Sequence, residues 1–171
     1  MRRNDGFAEF VSAVTPALSR TAYLLTGDHQ LAEDLLQSAL ANAFRHWSRI
    51  RDGHPEAYLR RTLHHEQVSW WRRRRLHEHL TPDPGGAAQP SSGDLAEATT
   101  VRITLIQALA TLTPRQRAVI VLRYYEDLTE AETARVLGCT VGSVKRHGHE
   151  ALVRLRRVAP HLLDGVREGQ R

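Results

Sequence analysis

Between residues 81 and 94 the chain reads TPDPGGAAQPSSGD, with three prolines, three glycines and no aliphatic side chain larger than alanine. Such a stretch cannot bury enough apolar surface to offset the entropy of ordering it, so it reads as a flexible linker. It divides the 171 residues into two parts, each large enough for only a modest core. On both sides apolar residues recur at intervals of three and four, without sustained alternation, which is the period of helices. The expected fold class is therefore all-α, with two small helical domains on a flexible linker.

In the first part, Phe7, Phe10, Val11, Val14 and Leu18 form one apolar stripe, and Pro16 must kink that helix or start a second. Leu25 closes it before Gly27. Asp28 then caps a helix carrying Glu33 and Asp34 near its positive end, with Leu31, Leu35, Ala39, Ala43 and Trp47 on the buried side. A loop is expected from Ser48 to His54. Pro55 opens the next helix, where its missing amide proton costs least, and that helix runs through Tyr58, Leu59, Leu63, Trp70 and Trp71 into Arg72 to Arg75.

The second part is expected to hold four helices. The first spans Leu95 to Leu112, and Thr113-Pro114-Arg115-Gln116 is a capping box with proline in the first turn of the second. The last two, Leu128 to Arg157, read as a helix-turn-helix. Thr129 caps a helix whose third residue, Glu132, reaches back to it. Ala131, Ala134, Val136 and Leu137 pack inward, and Gly138 ends the helix because glycine tolerates the left-handed conformation. Thr140 caps the final helix, which buries Val141, Val144, Ala151, Leu152 and Leu155. Ser143, Lys145, Arg146, His147, His149 and Arg154 lie mostly on its other faces, a set suited to phosphates and base edges.

Charge supports a polyanionic partner. The net charge is +5 and the isoelectric point about 10.1. Its distribution is more telling: Arg60 to His79 holds six arginines against Glu66 and Glu78, and Lys145 to Arg157 holds five basic residues against Glu150. Asp28 to Phe44, by contrast, has Asp28, Glu33 and Asp34 and no lysine or arginine, so it faces something else. In WWRRRR at 70–75, aromatic faces beside guanidinium groups can stack on unpaired bases and hold phosphates. Successive helical residues turn by about 100°, however, so the four arginines cannot all meet one ligand.

Other classes fit poorly. The single cysteine, Cys139, allows no internal disulfide and no cysteine zinc site, which suits a reducing cytoplasm. No apolar run is long enough to insert into a membrane, and no signal-peptide core is present. His65-Glu66 and His77-Glu78 would each need a histidine three residues beyond the glutamate to make a zinc-protease helix, and Ser69 and Thr81 stand there. No phosphate loop or nucleophile elbow occurs. Neither an enzyme, nor a metal, nor a cofactor is indicated.

Together these segments resemble a bacterial sigma factor of the extracytoplasmic-function type, group IV of the sigma-70 family, similar to its actinobacterial sigma-E members. FAEFVSAVTPALSRTAYLLTGD at 7–28 resembles the opening helices and LAEDLLQSALANAF at 31–44 the helix that binds the polymerase clamp. PEAYLRRTLHHEQVSWWRRRR at 55–75 resembles the segment that melts and reads the downstream promoter element. LTPRQRAVIVLRYYEDLTEAETARVLGCTVGSVKRH at 112–147 resembles the domain that reads the upstream element. The resemblance implies region 2 over 1–79, a linker over 80–95, region 4 over 96–160 and a tail over 161–171, leaving no room for a sensor domain.

The same resemblance implies roles. Glu33, Asp34, Leu35 and Gln37 would meet core RNA polymerase, with Leu35 or Leu36 giving apolar contact. The Ser48–His54 loop would take an extruded base, whose capture offsets a few kcal/mol of unstacking, along a path lined by Arg60, Arg61, His65 and Ser69, with Trp70, Arg72 and Arg73 beside it. Thr140, Ser143, Lys145, Arg146, His149 and Arg154 would face the upstream element. Partners would be core RNA polymerase, promoter DNA and an anti-sigma factor. This chain departs from the pattern at His65, where asparagine is frequent, and at Arg146, His147, Gly148 and Glu150, so no promoter sequence carries over. Glu150 would favour cytosine amino groups. The alternative is a stand-alone helix-turn-helix regulator, which leaves residues 28–75 without a role; a purely protein-binding helical module leaves both basic segments without one.

Overall fold

Local capping chemistry sets most of the helix boundaries. The computed structural model describes residues 6–80 and 104–162, except the side chains of 71, 72 and 74–80. The 81–94 linker, the start of the Leu95–Leu112 helix and most of the tail lie outside these residues. Helix α1 covers Phe7–Thr26, α2 His29–Ile50 and α3 Pro55–Leu80. A helix over 104–110, α4, is followed by α5 at Pro114–Ile120, which widens into a π-helical turn at Val121–Tyr125. Then come α6 at Glu130–Leu137, α7 at Val141–Val158 and a short 3-10 turn at Pro160–Leu162. The described residues contain helices and no strand.

Pro16 neither ends α1 nor starts a second helix; it sits inside a continuous one. Gly27 ends α1 in the left-handed conformation, with φ 74°, and Asp28 starts α2 by accepting a hydrogen bond from the Leu31 amide at 2.8 Å. The expected loop is shorter than Ser48–His54: Ser48, Arg49 and Ile50 continue α2, leaving residues 51–54 to make the turn. Pro55 opens α3. Both capping boxes form. Thr113 accepts from the Gln116 amide and donates its own amide to the Gln116 side chain, and Thr129 and Glu132 exchange the same pair.

The two halves do not keep separate cores. Leu18, Ala22 and Leu25 of α1, Leu35, Leu36 and Ala39 of α2, and Leu59 and Leu63 of α3 join Ala118, Val119, Leu122, Leu137 and Val144 of the second half in one buried cluster. A second cluster, Ala108, Leu109, Leu112, Ile120, Ala151 and Leu155, closes the C-terminal helices on themselves. At the seam, Arg117 of α5 is only 5% exposed. Its guanidinium donates to the Leu25 carbonyl at 2.8 Å and the Leu109 carbonyl at 2.9 Å, tying the ends of α1 and α4 together. Burial lowers its pKa to about 10, so it stays charged at neutral pH. A cation at the carbonyl end of α1 also complements that helix's dipole.

Candidate nucleic-acid and polymerase interfaces

Three surfaces emerge. On α7, Thr140 accepts from the Ser143 amide at 3.1 Å and orients the first turn. Thr140, Lys145, Arg146, His149 and Arg154 are exposed and Ser143 is half-buried, so all six expected upstream readers stand at the surface. Val144, Ala151 and Leu155 face inward, whereas Val141 is 39% exposed and does not join them. On α6, Ala131 is exposed and Thr133 takes a buried place instead. Glu150 is exposed; it accepts from the Gln116 side chain at 3.1 Å and lies 3.9 Å from Arg146 and 3.8 Å from His147. It steadies α7 against α5. Partial burial, and then Arg146, hold the His147 ring below its ordinary pKa. Lys145 lies 3.6 Å from Glu130, an exposed pair that DNA can displace at little cost.

On the first half, α2 and α3 enclose an open cleft of about 270 Å³ lined by Asn42, Tyr58, Arg61, Thr62, His65, Glu66, Ser69 and Arg73. Its floor is polar and fixed, because the Tyr58 hydroxyl lies 3.4 Å from the Asn42 side-chain oxygen and 3.2 Å from His46 Nδ1. The structure therefore brings Arg61, His65, Ser69 and Arg73 together around one cavity. Trp70 is half-buried and lines a separate, smaller cleft beside Leu35 and Gln67. Trp71 and Arg72 have side chains outside the described set. Asn42 and Tyr58, absent from the residues chosen by sequence, complete the cleft from α2 and from a turn earlier on α3.

Arg60 points elsewhere. Its Nε lies 2.6 Å from a Glu126 carboxylate oxygen and its Nη2 lies 3.1 Å from Glu56. Glu126, just after the π-helical turn, also receives the His64 ring at 3.4 Å and the Thr21 hydroxyl at 3.2 Å. His65 touches the same half, because a Cβ on Gly138 would stand 3.5 Å from its ring. Partial burial first, then Arg61, hold His65 below its ordinary pKa, against a hydrogen bond to the Val136 backbone.

The third surface is acidic. Glu33, Asp34 and Gln37 are exposed along α2, but Leu35 and Leu36 are 8% and 6% exposed and belong to the core. The expected apolar contact from Leu35 or Leu36 is thus corrected: the positions that keep Glu33, Asp34 and Gln37 outside turn both leucines inward.

The described helices present an exposed basic helix, a basic cleft on a second helix pair and an exposed acidic face on α2, the kinds of surface a promoter-reading subunit uses. Two family models match it: Sigma-70 region 2 over residues 10–77 and Sigma-70, region 4 over residues 102–155. The RNA polymerase sigma-E factor of Streptomyces coelicolor is 40% identical over 151 residues, 88% of this chain and 84% of that protein. The ECF RNA polymerase sigma factor SigL of Mycobacterium tuberculosis is 33% identical over 142 residues, 81% of this chain and 80% of its own. Among solved structures, the sigma factor RpoE of Bartonella quintana, in complex with the anti-sigma factor NepR, superposes with a TM-score of 0.68 at 25% identity, over 91% of this chain and 97% of that one. CnrH, in complex with the cytosolic domain of CnrY, shares the fold at a TM-score of 0.59 and 20% identity, over 94% of this chain and 89% of that one. The chain belongs to the sigma-70 family, in its extracytoplasmic-function group, and directs transcription initiation. The region 2 match covers residues that a stand-alone regulator would leave without a role. No described helix is long and apolar enough to cross a membrane.

Proposed function

We propose a division of labour along this chain: residues 1–79 hold core polymerase and open the downstream element, 80–95 connect, and 96–160 read the upstream element. The observation that carries it is the presence of two basic surfaces, the α2–α3 cleft and the outer face of α7, together with an exposed acidic face of α2 at Glu33, Asp34 and Gln37. A carboxylate and amide surface complements basic residues of the polymerase and speeds their encounter. The cleft, with Arg61, His65, Ser69 and Arg73 over a Tyr58–Asn42 floor, has the donors and the aromatic face to capture one extruded base. Arg146, Lys145 and Ser143 read base edges on α7, while Arg154 and Thr140 sit nearer phosphates.

The chain thus contributes binding and strand capture, and makes or breaks no covalent bond itself. It works in the cytoplasm with the polymerase. An anti-sigma factor is a further partner, supported by the relative of known structure that was solved with one.

Separate effects of two substitutions test the division. In holoenzyme assembled with core polymerase, Arg61→Ala should reduce permanganate reactivity of melted promoter thymines while the upstream footprint persists. Arg146→Ala should weaken the upstream footprint by about tenfold, the scale of one base contact at 1–3 kcal/mol. Two variants with the same phenotype, or with none, would overturn the assignment.

A further inference from the structure

The smaller cleft between α2 and α3 holds a buried polar group that the fold does not use. Leu31, Asp34 and Leu35 of α2 face Glu66, Gln67 and Trp70 of α3, each set at helical spacing and so on one side of its helix, around a space of about 90 Å³. Gln67 is 1% exposed, and neither the oxygen nor the nitrogen of its carboxamide has a hydrogen-bond partner among the described residues. An amide buried without partners is costly. Thr26, also at the bottom of the cleft, is satisfied: its hydroxyl engages the carbonyls of Ala22 and Asp28. We propose that this cleft binds a small lactam, a flat cyclic amide whose N–H and C=O pair edge to edge with the Gln67 carboxamide.

The carboxamide sets the chemical class. It offers a donor and an acceptor side by side, so its complement carries an acceptor and a donor on one edge. An anion meets only the Gln67 N–H, and the carboxylates of Asp34 and Glu66 at the rim repel it. A cation meets only the Gln67 oxygen and leaves the N–H unpaired. A peptide backbone fails as well, because its trans amide places N–H and C=O on opposite edges. A lactam ring holds the two on the same edge.

Size and walls agree with that class. Leu31, the buried Leu35 and the half-buried Trp70 give the cleft apolar sides around one oriented polar group, the usual composition of a small-molecule site. Its volume corresponds to about three waters at roughly 30 Å³ each, room for a five-membered ring and too little for a nucleotide. Glu66 and Arg73, 3.9 Å apart, line both this cleft and the larger one. Arg61 lines only the larger one, so the cationic lining that suits a nucleic-acid strand is concentrated there. The lactam site stands on Gln67 and its neighbours, and does not depend on the roles proposed for the strand cleft or the acidic face of α2.

NMR titration of the isotope-labelled full chain with γ-butyrolactam should give saturable shifts of the Gln67 side-chain amide and the Trp70 indole signals. Cyclopentanone keeps the ring and the carbonyl but has a methylene in place of the N–H. It should bind on the order of tenfold more weakly, because the buried Gln67 oxygen then loses its donor. Gln67→Leu puts an apolar group of similar size in the cleft and should bring the two probes to equal affinity. A wild-type chain that binds neither probe, or both alike, overturns the proposal, since the carboxamide then selects no partner. Tighter binding of acetate or methylguanidinium than of the lactam would make the site ionic, and tighter binding of propionamide would place the amide on a protein side chain; each overturns it as well. The comparison of probes on the wild-type chain decides the matter even where Gln67→Leu does not fold.

Discussion

Gly148 shows how a single residue's position decides its energetics. It lies inside α7, where glycine costs about 1 kcal/mol relative to alanine. A Cβ there would meet a Val119 methyl at 3.6 Å, an ordinary contact. Gly148→Ala should therefore stabilise the chain by about 1 kcal/mol, a rise of roughly 2–4 °C in the thermal midpoint for a chain of this size. A fall in the midpoint would show that α5 and α7 need the missing methyl group. Residues with local partners, such as Thr113, Thr129 and Asp28, were legible in the sequence because their hydrogen bonds close within three positions. Glu126 was not. Its partners Thr21 and His64 are 105 and 62 positions away, and no local pattern marks a carboxylate that will meet them. Arg117 escaped for the same reason, bonding the Leu25 carbonyl 92 positions away.

At the scale of elements, periodicity gave the helices and their inner faces, but tertiary packing decided details that periodicity leaves open. Ile50 packs against the buried core, which favours extending α2 through it beyond the point where polarity suggested a loop. The contact of α3 with α6 carries a pH dependence. His65 is held below its ordinary 6.5 by partial burial, Arg61, Arg115 and His64, with the Val136 backbone pulling the other way. The opened or unfolded chain thus protonates first as pH falls. The contribution is fully present above about 6.5 and is lost as pH falls through the lowered folded value. Denaturation at about pH 7 and about pH 5 should show a larger loss of stability in wild type than in His65→Asn. His147 shifts in the same direction and remains in both proteins, so the difference isolates His65. An equal loss in both would remove His65 from the seam.

For the whole molecule, a sequence that divides cleanly at residues 81–94 suggested two cores, yet the described residues share a buried cluster across the seam. A segment rich in proline and glycine builds no core of its own, and its composition does not decide whether the parts on either side of it pack together. The shared core, the Arg117 clasp and the Glu126 cluster hold the two halves together, while the outer faces of α2 and α7 stay exposed. Family membership accounts for the order of these parts. The most direct test of the central claim is transcription by core polymerase on fragmented host DNA, with and without this chain, with transcript starts mapped. The account predicts a discrete set of new starts sharing two sequence elements at one spacing, dependent on the added protein. Starts identical with and without it, on DNA containing the whole genome, would contradict the claim that it is a promoter-specificity subunit.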